Sequence, residues 1–112
     1  MKKKDVVKSN ILFNDIIKDG QHIANKYFVI CISKSANSSP LFGIAVGKKV
    51  GNAVTRNKIK RQIRNIIDQN RDIFSNFHNY VVICKKEILN ISFEEKNTQL
   101  VKLITKGENH EK

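Results

Sequence analysis

Residues 47–64 place seven cationic side chains, Lys48, Lys49, Arg56, Lys58, Lys60, Arg61 and Arg64, in a run that contains no carboxylate. The chemistry open to such a set is anion recognition, with ammonium groups acting as point charges toward phosphate and guanidinium groups as two-pronged forks. Asn52 and Asn57 add amide donors and acceptors to the same run. Acid–base and hydrolytic chemistry find no comparable set. His22, His78 and His110 are scattered, and the acids nearest the run, Asp68 and Asp72, stand beyond its far end at the spacing of a solvated helix terminus. Cys31 and Cys84 belong to no CxxC pair or Cys/His cluster. The sequence therefore predicts no catalytic residue and no metal site on this chain. The segment Gly47-Lys48-Lys49-Val50-Gly51 lacks the Gly-Lys-Ser/Thr ending of a P-loop, although its backbone amides can approach a phosphate.

A helix has to carry this charge. Two glycines punctuate its approach, Asn52 or Thr55 can cap it, and Ile59, Ile63, Ile66 and Ile67 recur at helical spacing, which predicts a helix to about Gln69. At about 100° per residue the isoleucines fill one arc, and Arg56, Asn57, Lys60, Arg61 and Arg64 fill the arc beside it. A merely solvated face mixes Glu with Lys. Like charges at Arg56, Lys60 and Arg64 instead repel, by about 0.2–0.5 kcal/mol per pair, a cost that an anionic partner offsets.

The whole chain agrees with this reading. Its 112 residues suit one domain, 1–112, with flexible tails at 1–8 and 107–112. Net charge is +11 and the sequence pI about 9.9, pointing to a polyanion. Nucleic acid is the predicted partner rather than a membrane or a small-molecule substrate, because no long apolar span appears. Residues 20–67 hold nine lysines and arginines and no Asp or Glu, so the positive field is concentrated mid-chain. Cys31 and Cys84, each in an apolar strand-like run, read as buried reduced thiols. Asp5, Lys8, Ser9 and Asn10 interrupt any signal-like stretch after Lys2, Lys3 and Lys4, so the protein is expected to be cytoplasmic.

Ser9 or Asn10 can cap a first helix with apolar positions Leu12, Phe13, Ile16 and Ile17, stopped at Gly20. A few extended residues around 22–24 precede a strand at 27–33. A polar turn cluster at 34–40 leads to a second long strand at 41–46, and the two are expected to form a hairpin. After the basic helix, Phe74 and Phe77 are the expected anchors of a polar link, followed by a strand at 80–84 parallel to 41–46. Ser92 and Glu95 have capping-box spacing before a helix with Leu100, Val101, Leu103 and Ile104 on its apolar face, ending at Lys106-Gly107. The predicted fold is α+β, a single mixed sheet with helices packed on it in αβββαβα order. Phe13 and Phe28 are either core or a stacking platform for unpaired bases between the first helix and the sheet.

Residues 51–64 resemble the bacterial ribonuclease P protein component, whose signature is an Arg-Asn-Arg-type helix. The resemblance takes in Lys48-Lys49, the strand Gly43-Ile44-Ala45-Val46, Phe13, Ala24-Asn25 and the apolar strand near Tyr80, and covers roughly residues 8–103. It implies a small basic subunit that binds a large catalytic RNA, which itself uses Mg²⁺ to remove the 5′ leader of precursor tRNA. It also implies a left-handed crossover through the basic helix, against the usual right-handed rule. Carried over, Lys48, Lys49, Asn52, Arg56, Asn57, Lys58, Lys60, Arg61 and Arg64 contact RNA, and Phe13 lines the leader cleft. Lys58 stands where the family usually shows Arg, while Ile17 and Cys31 occupy cleft positions often aromatic in relatives. The charge alone would also suit a nonspecific ribosomal or nucleoid-type structural protein. An autonomous nuclease would need a convergent acid cluster that the sequence lacks.

Overall fold

The computed structural model describes residues 6–7, 10–35, 40–75 and 77–110, with side chains to residue 107. Ser9 as a cap, Lys2–Lys4, residues 36–39 of the expected turn and residues 111–112 lie outside the described residues. The elements are α1 (Asn10–Asp19), β1 (Gln21–Ala24), β2 (Phe28–Lys34), β3 (Phe42–Val46), α2 (Ala53–Gln69), β4 (His78–Cys84) and α3 (Phe93–His110). Short 3-10 turns at Arg71–Ile73 and Lys86–Asn90 flank β4. No described helix is long and apolar enough to cross a membrane.

One four-stranded sheet runs β1-β2-β4-β3, with β3 parallel and β2 antiparallel to β4. The sheet is mixed, as expected, but the expected hairpin between β2 and β3 is not formed. β4 lies between them, and β2 makes its hairpin with β1 instead. Hydrophobicity decides the order: Tyr80, Val81, Val82 and Cys84 are all buried, so β4 is apolar on both faces and takes a central position. The link after β2 passes the start of β4, where Ser35 N–H donates to Phe77 O at 2.8 Å and Leu41 N–H to Asn79 Oδ1 at 3.2 Å. The β1–β2 turn is closed by Asn25, whose Oδ1 accepts from Tyr27 N–H and Phe28 N–H.

Strand periodicity sorts the core into two layers. Phe28, Ile30 and Ile32 of β2, Phe42 and Val46 of β3, and Tyr80, Val82 and Cys84 of β4 face α2 and α3, packing on Ile59, Ile63, Ile66, Ile67, Leu100 and Ile104. Cys31 and Val81 face the other way, beneath Ile16 of α1. Phe42, Phe74 and Tyr80 meet ring to ring with centroids 5.0–5.6 Å apart, and Ser75 N–H donates to the Tyr80 hydroxyl, which fixes the α2–β4 connection. Phe77, the other expected anchor, is instead 72% exposed, because this cluster is complete without it.

Two segments near the ends of the chain pack against the sheet. Val7 N–H donates to Phe42 O, and Val6 bridges Phe42, covering the outer edge of β3. At the other end α3 runs through Gly107 to His110, where a stop was expected. Gly107 is buried against Ile23 of β1, and any Cβ there would collide with the Ile23 side chain. Glycine at this place serves close packing rather than termination.

Candidate nucleic-acid interface

The basic helix is built as its sequence dictates. Asn52 is its N-cap, with Oδ1 accepting from Thr55 N–H at 2.9 Å, so this side chain is committed in part to holding the helix start. Val50, buried, anchors the turn that carries exposed Lys48 and Lys49 from β3 into α2, and Val50 N–H donates to Gly47 O. At the far end Asn70 donates to Ile66 O and to Asn97 Oδ1, tying the close of α2 to α3.

With the four isoleucines buried, Asn57, Arg61 and Arg64 stand exposed on the opposite side of α2, and Arg56 and Lys60 lie half-buried along one flank. Arg56 Nε is buried without a described partner. None of Lys48, Lys49, Arg56, Lys58, Lys60, Arg61 or Arg64 forms an ion pair with a described carboxylate. An ion pair between Asp68, near the end of α2, and Arg71, at 3.8 Å, lies beyond the last basic residue of the helix. The face is therefore an unneutralised cationic strip, available to a partner at its full charge. Lys58 stands apart from this face. It projects from the other flank of α2, toward the start of α3, and is close enough to Lys96 to disfavour that residue's charged form.

A second feature lies on the α1 side of the sheet. Phe13 is half-buried, and its ring lies directly over Gly43, where an added Cβ would stand only 2.8 Å from Phe13 Cε2. Ile17, Val29 and Ile83 are half-exposed around it, forming an apolar floor and wall between α1 and the sheet. At Ile83 this floor runs into an open groove of about 650 Å³ edged by Lys48, Lys49, Lys85 and Lys86. Lys85 is held in place by donating to Asn25 O at 2.7 Å.

Not every residue named for this cleft reaches it. Phe28 is wholly buried on the opposite layer of the sheet, so it is core and offers no stacking surface on the α1 side. Cys31 has the right parity but is fully covered. Burial raises the Cys31 thiol pKa and pushes that of Cys84 up to about 12, with nearby Lys96 opposing the latter in part. Both cysteines are free thiols, as expected. Lys85 and Lys86 went unnoticed in the sequence, although two lysines directly after an apolar strand mark where that strand delivers charge to one end of the sheet.

Comparison with known proteins places this geometry. The family described as Ribonuclease P matches residues 1–108. A relative named ribonuclease P protein component from Mesoplasma florum is 41% identical over 107 residues, covering 95% of this chain and 97% of that protein. One of the same name from Bacillus pumilus is 38% identical, covering 96% and 91%. Among solved structures, the RNase P protein of Staphylococcus aureus superposes with a TM-score of 0.85 at 29% identity, covering 92% of this chain and 94% of that one. The RNase P protein of Thermotoga maritima superposes at 0.82 with 30% identity, covering 89% and 94%. A basic helix with no carboxylate from its start through Arg64, the α+β sheet that seats it and these likenesses agree: the chain belongs to the family of ribonuclease P protein components.

Proposed function

We propose that this protein serves ribonuclease P as a non-catalytic subunit, docking the cationic face of α2 on the catalytic RNA and holding the 5′ leader of precursor tRNA in the cleft between α1 and the sheet. The observation that carries this reading is the unpaired strip of Arg56, Lys60, Arg61 and Arg64 with Lys48 and Lys49 at its approach, none of them neutralised by a described carboxylate. Asn52, Asn57 and Lys58 complete the RNA-facing set. Phe13 supplies the stacking surface in the cleft, and Lys48, Lys49, Lys85 and Lys86 lead the backbone of a single strand away from it.

Cleavage is assigned to the RNA. The described residues hold no group of three or more His, Cys, Asp or Glu suited to a metal, and the cationic face repels a divalent cation. The Mg²⁺ of the holoenzyme is accordingly assigned to the RNA subunit, and the chain's own work is binding and positioning. We place that work in the cytoplasm. Arg61→Ala tests the reading, since Arg61 is exposed and its loss leaves the core intact. The substitution should weaken binding to the catalytic RNA and slow leader cleavage at low Mg²⁺. Wild-type behaviour in both assays would refute the assigned role of α2.

A further inference from the structure

Lys96 is the anomaly of the fold. It lies one turn before Leu100 on the inward face of α3 and is only 7% exposed; its stem is buried, while its ammonium reaches the open groove beside it, where no hydrogen bond or ion pair to a described residue holds it. Partial loss of hydration with no anionic partner disfavours the charged form of Lys96 and lowers its pKa. Its surroundings add to that effect. Lys58 approaches from α2, and the nearby Cys84 thiol stays protonated at neutral pH and offers no counter-charge. Between the two lysines lies a groove of about 400 Å³ lined also by Thr55, Gln62, Ser92 and Phe93. Gln62 Oε1 is buried there without a partner. The Ser92 oxygen accepts from Glu95 N–H at 3.1 Å, which leaves the Ser92 hydroxyl proton free to donate.

The geometry points to a phosphoryl-binding site in this groove between α2 and the start of α3, on the flank of α2 away from the Arg56–Lys60 edge, with Lys96 and Lys58 gripping the anion from opposite walls. The Thr55 and Ser92 hydroxyls supply further donors, and rotation of the Gln62 carboxamide turns its NH₂ toward the ligand. An anion here relieves the repulsion between the two lysines and gives Lys96 the partner it lacks. If the proposed function holds, the natural occupant is a backbone phosphate of RNA, which extends the interface from α2 onto α3. Free inorganic phosphate is the other source of the same chemistry.

The site can be tested on the whole chain without RNA by titrating inorganic phosphate in a phosphate-free, low-salt buffer and following backbone amide resonances. Wild-type signals at Thr55, Lys58, Ser92 and Lys96 should shift together along one saturating curve. In Lys96→Met that curve should move to at least about tenfold higher phosphate, as loss of a charge-assisted bond requires. Without phosphate, Lys96→Met should melt at or above the wild-type temperature, because an unpaired cation has been replaced by an apolar chain of similar shape. With phosphate the wild type should gain more. A purely structural lysine would give the opposite result, a variant less stable in both buffers by the same amount. Lys58→Gln, an exposed change, should weaken the same curve if Lys96→Met fails to fold. Unmoved signals at residues 92–96, or an unaltered phosphate response in both variants, would overturn the site. Binding of the catalytic RNA then separates the sources. Weakening by Lys96→Met assigns the site to RNA phosphate, whereas unchanged RNA binding beside a lost phosphate response assigns it to free phosphate.

Discussion

Gly43 is the residue through which the sheet sets the position of Phe13. Replacing it with alanine puts a Cβ 2.8 Å from Phe13 Cε2, 3.0 Å from Cδ2 and 3.4 Å from Val81 Cγ2. Carbon atoms rest about 3.5–4.0 Å apart, so the ring must retreat by somewhat under 1 Å. The ring is thereby displaced from the place it holds over Gly43. Overpacking of this kind costs about 1–3 kcal/mol of stability. If Phe13 stacks on a leader base, an interaction worth about 1–3 kcal/mol, displacing the ring should weaken leader binding by about tenfold. The assay is binding of precursor tRNA, with and without its 5′ leader, to the reconstituted holoenzyme. Gly43→Ala and Phe13→Ala should each weaken binding of the leader-bearing substrate and leave the leaderless one alone. In combination, Gly43→Ala should add almost nothing to Phe13→Ala, since both act on one ring. Equal losses with the leaderless substrate, or fully additive effects, would refute the coupling.

Two further outcomes follow from the local chemistry. Asn52→Ala removes the cap of α2 and should cost about 1 kcal/mol, a fall of roughly 4–6 °C in Tm for a domain of this size, whereas Asn52→Asp keeps the acceptor and should keep the Tm. A thermal melt of both variants checks this. The Cys84 thiol, raised from 9.0 to about 12, should resist a thiol reagent at pH 8 in the folded protein and react on unfolding. Because the folded pKa lies above the unfolded one, the stability linked to Cys84 is complete below pH 9 and is lost as pH rises toward 12. Rapid native labelling of Cys84 at pH 8 would contradict its burial.

Local patterns in the sequence proved sufficient for most elements, and non-local competition accounts for the rest. The Ile59-Ile63-Ile66-Ile67 spacing, the Asn52 cap and the Ser92 cap are each decided within a few residues, and each stands where expected. The pairing of β2 was not decidable that way. A turn cluster between two strands suggests a hairpin, but the sheet centre goes to β4, apolar on both faces, and that choice depends on a strand more than 40 residues away. Phe28 illustrates a signal that was present and outweighed. It is three residues from Cys31, and strand alternation puts such a pair on opposite faces, so both could not line one cleft. Phe77 and Phe74 have equal apolar weight in sequence, and only the rings of Phe42 and Tyr80 select Phe74. Lys96 was legible in retrospect. It precedes Leu100 by four residues and Leu103 by seven, on the apolar arc of α3, where a cation calls for an explanation.

In its proposed role this chain makes a catalytic RNA effective and cleaves nothing itself. The most direct measurement is cleavage of a precursor tRNA with a short 5′ leader, at low Mg²⁺, by the large catalytic RNA from the same source, with and without the protein. Strong stimulation, cleavage at the mature 5′ end, and no product from the protein alone are the expected result. An unchanged rate, together with equal affinity of the protein for duplex DNA and for that RNA, would contradict it.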